Sequence, residues 1–206
     1  SNVLIGASAG YDLTSGGSNV VLGNNAARNA ETTTNSVVIG QDAGYYLTDQ
    51  NNIIAIGHDA MKGTAIAEAF TGGEACIAIG DSALKSVSTA VSCTATGDLA
   101  GVNITTGSHN TLYGALAGNS LTTGISNTYI GSGAGENTST ASYRTAVGFE
   151  AGQKLGANGV AVGALAGTHQ QGQDNVFLGN AAGFGSALFN GPQFSTSCVA
   201  VGFQAG

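Results

Sequence analysis

The residues that could do catalytic or metal chemistry are few, and they are not spaced as a reactive site requires. The chain has three histidines: His58 follows a glycine, and His109 and His169 lie in polar, turn-like stretches. No Ser/His/Asp set is specified by spacing, and the aspartates are scattered instead of paired or clustered as calcium ligands. The sequence therefore predicts no enzymatic activity, no metal and no cofactor.

The three cysteines form neither a disulfide framework nor a CxxC metal pair. Cys76, Cys93 and Cys198 instead share one position, four residues before a recurring glycine, which is elsewhere mostly Asn or Ser. This pattern favours small side chains in a stacked column. A Cys76–Cys93 disulfide is the alternative, because neighbouring parallel strands lie about 4.8 Å apart.

A repeated phrase explains that shared position, and its clearest copy is Ile130-Gly131-Ser132-Gly133-Ala134-Gly135. Its first glycine, here called the anchor, recurs mostly at 17-residue steps, with single steps of 15 and 16 and two of 23. An alanine follows every anchor by three residues, and a glycine follows nine of the twelve by four. A period this regular predicts a stacked-repeat solenoid. The twelve anchors are Gly6, Gly23, Gly40, Gly57, Gly80, Gly97, Gly114, Gly131, Gly148, Gly163, Gly179 and Gly202.

The segment before each anchor has the pattern of a β-strand. The side chain three residues before the anchor is β-branched in all twelve repeats, and the side chain one residue before it is Ile, Leu or Val in ten. Because side chains alternate along a strand, these two positions share one face, which we predict to be the core face. A ladder of Thr94, Thr111, Thr128 and Thr145 would then lie inside the core.

After the anchor, the small residues predict a tight corner, and a second, weaker strand is expected seven residues on, through residues such as Leu47 and Leu121. The predicted fold is all-β: a parallel β-roll or β-solenoid with about 17 residues per turn and 12 repeats. Residues 1–206 form a single repeat domain in this interpretation, a piece of a longer fibrous protein. The rod would be roughly 55 Å long.

The middle position of each strand is also apolar, so we predict that a single chain would expose a long apolar face to solvent. Identical chains around an axis parallel to the stack would cover it, and three chains is the preferred number. The trimer-interface candidates are therefore Val21, Val38, Ala55, Ala78, Ala95, Leu112, Tyr129, Ala146, Ala161, Phe177 and Ala200.

Composition excludes two classes of partner. The formal net charge of −7 argues against nucleic acid, which requires basic surfaces. No apolar run approaches the roughly 18 residues of a membrane-spanning segment, so no membrane insertion by this segment is expected.

The repeats resemble the head repeats of YadA-type trimeric autotransporter adhesins, whose Asn-Ser-Val-Ala-Ile-Gly pattern is nearly matched by Asn35-Ser36-Val37-Val38-Ile39-Gly40. The stretch from Asn127 to Gly135 is similar to repeats of phage tail fibres and of bacterial surface trimers with an endosialidase-type chaperone. The resemblance covers the whole chain and implies a left-handed, homotrimeric β-roll, side by side or intertwined. It implies an adhesive or spacer segment of an extracellular fibre, on a bacterial surface or a virion tail. The 17-residue period is longer than that of the adhesin heads.

Two other interpretations stay open: a hexapeptide-like acyltransferase, and a solenoid that binds a crystal or sugar lattice. Two turns are six residues longer than the rest, around Thr64–Glu74 and Gly185–Thr196, and their extra residues are expected to bulge out as loops. Contact with a host surface receptor or glycan would use the second loop, although the favoured alternative is that its side chains fold back over the irregular turn. The receptor-contact candidates are Phe184, Leu188, Phe189, Pro192 and Phe194.

Overall fold

A computed structural model of the chain describes residues 1–64, 73–169, 172–184 and 197–205. One three-residue strand precedes each of the twelve anchors, and no helix is present in the described residues. The strands are β1 (Val3–Ile5), β2 (Val20–Leu22), β3 (Val37–Ile39), β4 (Ile54–Ile56), β5 (Ile77–Ile79), β6 (Thr94–Thr96), β7 (Thr111–Tyr113), β8 (Thr128–Ile130), β9 (Thr145–Val147), β10 (Val160–Val162), β11 (Val176–Leu178) and β12 (Val199–Val201).

The twelve strands form one parallel sheet in chain order from β1 to β12. Equivalent residues pair in register even across the longer and shorter steps, as Ile54 does with Ile77 and Thr145 with Val160. Each turn of chain therefore adds one strand to the sheet. The predicted all-β parallel solenoid is confirmed.

The predicted second strand is absent from the described residues, so that prediction was wrong. The chain after each anchor alternates in handedness, with left-handed φ two and four residues on, as at Asp42 (54°) and Gly44 (56°). The amide of the seventh residue then bonds back to the carbonyl of the fourth, as Leu47 N–H does to Gly44 at 3.1 Å, so this segment is a turn and not an extended strand. The backbone nevertheless bonds to the next turn, from Gly44 N–H to the Ala60 carbonyl at 2.9 Å and from Tyr46 N–H to the Lys62 carbonyl at 2.9 Å.

The assignment of the two strand faces was also wrong, because the middle side chain of each strand points into the chain's own core. Ten of the eleven trimer-interface candidates are at most 3% exposed in a single chain, and Ala200 packs against the same core. A buried side chain cannot contact another copy of the chain. The interface candidates that the structure rejects are Val21, Val38, Ala55, Ala78, Ala95, Leu112, Tyr129, Ala146, Ala161, Phe177 and Ala200.

Side-chain volume explains why the middle position faces inward. The core between the strand and the opposite wall is thin, and that wall is formed by the residue four after the anchor. Tyr129 faces Gly135, where an added Cβ would lie within 2.4 Å of the tyrosine ring. At two turns with a small middle residue, Ala55 and Ala78, the fourth residue is Met61 or Leu84, and both are fully buried. At the turn of Ala95 the fourth residue is Gly101, and Leu84 and Leu112 of the neighbouring turns lie against it, so the interior stays close-packed.

The anchor glycines allow the turns to stack. Gly114 has a φ of +134°, and a Cβ there would lie 2.6 Å from the carbonyl carbon of Gly131 in the next turn. Both the backbone conformation and the close approach exclude a side chain.

Candidate functional site on the outer face of the sheet

The outer face of the sheet, defined as the side chains three and one residues before each anchor, is a continuous apolar surface. Its 24 positions contain no charged residue. Ile79, Ile130 and Val162 are 37%, 40% and 38% exposed, and Tyr113 is 60% exposed, although all four lie well inside the stack. A strip roughly 55 Å long and about 10 Å wide covers about 550 Å², which is near the top of the range for the largest apolar patch of a soluble monomer.

The threonine ladder lies on this outer face, so the prediction that it is a core feature was wrong. Thr111 is exposed, and Thr94, Thr128 and Thr145 are half-buried between their neighbours. They pair in register from one strand to the next. The ladder therefore interrupts the aliphatic surface with a column of hydroxyl groups.

A corner cluster of charges forms where turns three to five meet. Asp59, which is only 4% exposed, accepts hydrogen bonds from Lys62 at 2.8 Å and Lys85 at 2.7 Å. His58 contacts Asp81 at 2.8 Å through Nδ1. Sequence reasoning missed this cluster, because its members, which include Asp42 at 3.9 Å from Lys62, lie in three different repeats.

The corner cluster is an ion-pair network. Asp42, His58 and Asp59 do place three potential metal ligands within 4.8 Å of one another. Burial opposes ionisation of Asp59, but its hydrogen bonds to Lys62 and Lys85 outweigh it and hold the pKa of this carboxyl below its ordinary value. The hydrogen bond to Asp59 raises the pKa of Lys62. Two ammonium groups already neutralise the carboxylate that a metal would need.

The position four residues before each anchor forms a buried asparagine column. Asn127 N–H donates to Asn110 Oδ1 at 2.9 Å, and Arg144 N–H donates to Asn127 Oδ1 at 3.1 Å, so each turn is tied to the next. The asparagine Nδ2 groups donate to carbonyls of the following turn, as from Asn127 to Ala141 at 3.0 Å. The predicted stacked column of small side chains is confirmed here.

Cys76 and Cys93 occupy two consecutive positions of the asparagine column and are free thiols, fully buried. Cys93 N–H donates to Cys76 Sγ at 3.2 Å, and Cys93 Sγ donates to the Gly107 carbonyl at 3.3 Å. The neighbouring Cys93 thiol and burial both raise the pKa of Cys76. Their role is that of the asparagines they replace. Cys198 is also free, but it is exposed.

Of the receptor-contact candidates, the structure describes only Phe184, which is 39% exposed. Its ring meets His169 edge to face, with the ring centres 5.1 Å apart. Leu188, Phe189, Pro192 and Phe194 lie outside the described residues. His109 is exposed on a left-handed backbone position with a φ of 60°.

No protein-family model matches the chain, and no curated protein is significantly similar to it. Within the part of the chain that the structure describes, no helix is long and apolar enough to cross a membrane.

Proposed function

We propose that this chain is a structural and adhesive segment of an extracellular trimeric fibre, and that it has no catalytic role. The observation that carries the proposal is the charge-free outer face, which runs the length of the stack in perfect register. A surface of this kind in a soluble protein is typically an interaction site. Depletion of charge is also typical of the buried centre of protein interfaces.

Identical chains are the occupant we propose for the outer face. The face runs along the stacking axis from strand to strand, so rotation about a parallel axis brings the same turns of each copy together. Closed cyclic symmetry of this kind is the usual arrangement of homo-oligomers. Each copy would cover the aliphatic columns of its neighbours and bury the threonine ladder near the symmetry axis.

The number of chains and the hand of the coil follow from the resemblance to YadA-type head repeats. The pattern Asn-Ser-Val-x-Ile-Gly lies on the asparagine column and strand, where Ser36 N–H bonds to Asn19 Oδ1 at 3.0 Å. In this proposal the chain is a left-handed homotrimer at a bacterial surface or in a virion tail fibre. The rod gives reach, and the loops give recognition of a host surface receptor or glycan.

The loop of residues 185–196, here called the aromatic loop, is tested for receptor recognition by replacing it with a Gly/Ser linker of equal length. The matched control replaces 65–72 in the same way. Beads coated with each protein are applied to a glycan array and to host cells. We expect the first replacement to abolish adhesion and the second to preserve it. Equal adhesion of both variants would contradict recognition by the aromatic loop.

A second candidate is binding of an extended lattice by an open outer face. It is favoured by the regular array of Thr and aliphatic side chains about 4.8 Å apart along the stack. This function requires a monomer in solution, so the native mass separates the two proposals.

A further inference from the structure

A pocket of about 320 Å³ opens on the side of the solenoid, between the turns that start at Gly131 and Gly148. This short-turn pocket is lined by residues 137–141, Arg144 and residues 154–156. The apolar core is also divided here, with one cluster ending at Ala151 and the next beginning at Leu155. The pocket thus marks a break in an otherwise repetitive structure.

The break arises because one turn is two residues short. The step from Gly148 to Gly163 is 15 residues instead of 17, and the missing residues fall between Leu155 and Asn158. The next residue of the asparagine column is Gly159, which has no side chain. Arg144 fills the column position beside this gap and is 5% exposed.

Arg144 makes the hydrogen bond to the next turn that asparagine makes elsewhere in the column, and its guanidinium has further N–H donors. Its Nε donates to the Gly156 carbonyl at 3.2 Å, as the asparagines do to the next turn. One terminal nitrogen, Nη1, donates to the Tyr129 hydroxyl at 3.3 Å, and that hydroxyl is within 3.3 Å of Thr138 Oγ1. The other, Nη2, has no partner among the described residues, and no described carboxylate pairs with Arg144.

Two backbone amides of the pocket also lack acceptors. In the preceding turn, Thr122 and Thr123 N–H donate to the Ser139 carbonyl at 2.8 and 3.4 Å. The equivalent carbonyl one turn later is Gly156, which accepts a hydrogen bond from Arg144 Nε. The amides of Ser139 and Thr140 donate neither to it nor to any other acceptor in the described part of the chain.

The charge of the pocket is opposite to that of the whole protein. The chain has only five Lys and Arg residues and a net charge of −7, yet Arg144 and Lys154 line one pocket. Lys62 and Lys85 are paired with Asp59, and Arg28 lies over the rings of Tyr11 and Tyr45. A buried guanidinium without a counter-charge is costly, and burial lowers the pKa of Arg144.

We propose that the short-turn pocket binds an oxoanion, namely a carboxylate, sulfate or phosphate group, through Arg144, Lys154 and the amides of Ser139 and Thr140. A planar guanidinium and converging backbone amides are the donors that such groups prefer. Binding satisfies the free donors and neutralises the buried charge. The site is complete within one chain, so it does not depend on the proposed fibre function or on the trimer.

The test is an NMR titration of the whole deuterated, ¹⁵N-labelled chain with sodium sulfate at constant ionic strength. We expect saturable shifts of the Ser139 and Thr140 amides. Arg144→Asn, which installs the residue that the column holds elsewhere, should weaken binding by about tenfold or more. Lys154→Gln changes an exposed side chain that is not needed for folding and should weaken binding about twofold to fivefold. Arg28→Gln is the control cation variant and should bind as the wild type does.

Parallel titrations with sodium glucuronate and glucose distinguish a free anion from an acidic sugar. Equal saturation by sulfate and glucuronate assigns the site to the oxoanion itself. Tighter binding of glucuronate, with glucose inert, assigns it to an acidic saccharide. Shifts that fail to saturate, shifts caused equally by glucose, or equal affinity of the wild type and Lys154→Gln would overturn the proposal.

Discussion

At the residue scale, Asp59 shows how a solenoid brings distant positions together. Lys62 is three residues away in sequence, but Lys85 belongs to the next turn, beyond one of the 23-residue steps. The corner after an anchor is a place where side chains can reach water, whereas the Asp59 carboxylate is buried beneath two lysines. Sequence spacing does not show which corner side chains meet, because the insertion length hides the register.

Asp59→Asn should lower the free energy of unfolding by about 1–3 kcal/mol at pH 7, because it leaves Lys85 without its carboxylate and Lys62 with only the more distant Asp42, at 3.9 Å. The folded-state pKa of Asp59 lies below the ordinary 3.8, so its contribution is complete above about pH 4 and is lost as the pH falls through the lower value. Urea unfolding of both proteins at fixed chain concentration, from pH 7 to pH 3, measures this difference.

The exposed Asp98→Asn is the matched control and should change stability by less than about 0.5 kcal/mol. A difference between wild type and Asp59→Asn that stays constant down to pH 3 would contradict the ion-pair assignment.

The shared position of the cysteines was predictable, because Cys76 and Cys93 replace asparagines in a repeat whose period is plain in the sequence. Arg144 was not explained by that pattern. Its role depends on a deletion eleven to fourteen residues further along the chain, and the missing side chain at Gly159 becomes relevant only when the two turns are stacked.

At the element scale, the strand positions were predicted correctly and their orientation was not. Alternation along a strand separates two faces but does not say which one is buried when both are apolar. A partial signal was available in the pairing of volumes, Tyr129 with Gly135 and Ala55 with Met61, although Ala95 is followed by Gly101. Residues that compensate each other's size across one turn must face each other.

The prediction of a second strand in each turn was wrong for a different reason. Leu47 and Leu121 do lie in the core, as their apolar character suggested. Their repeats, however, contain left-handed residues that are not glycine: Asp42 (54°) precedes Leu47, and Leu116 (60°) precedes Leu121. Local propensity gives no warning of such residues, and stacking against the next turn supplies the hydrogen bonds that hold them.

Gly114→Ala tests the close stacking of the anchors. The substitution places a Cβ against the Gly131 backbone at an unfavourable φ, so it should cost at least about 2 kcal/mol of folding free energy. Gly17→Ala is the control, since a Cβ there would meet no atom within 4 Å. Thermal unfolding of both variants provides the comparison, and equal melting temperatures would contradict the stacking argument.

Ile130→Lys tests the outer face. Ile130 is 40% exposed in one chain, so the variant should fold, as circular dichroism would report. In an assembly it would bury an unpaired charge at a cost of about 3–5 kcal/mol, and the chains should separate in light-scattering measurements. Ser132→Lys adds the same charge on the exposed corner and should leave the assembly intact. Identical masses for both variants would exclude the outer face as the interface.

At the scale of the whole molecule, the repeat period determined the architecture. Twelve glycines at near-constant steps predicted twelve strands in one stack, and the structure contains them in that order. The assembly is a different kind of inference. It follows from an apolar face that one chain leaves exposed to solvent. The structure places this face on the side chains three and one residues before each anchor. The argument that a partner covers it therefore no longer depends on the alanines at the middle strand positions.

Sedimentation equilibrium of the wild-type chain at micromolar concentration tests this requirement most directly. The chain has a mass of 20.1 kDa, so the proposed trimer predicts three times this value, about 60 kDa. The trimer should also persist on dilution. A mass of 20.1 kDa throughout the concentration range would contradict the account and leave the outer face open to solvent.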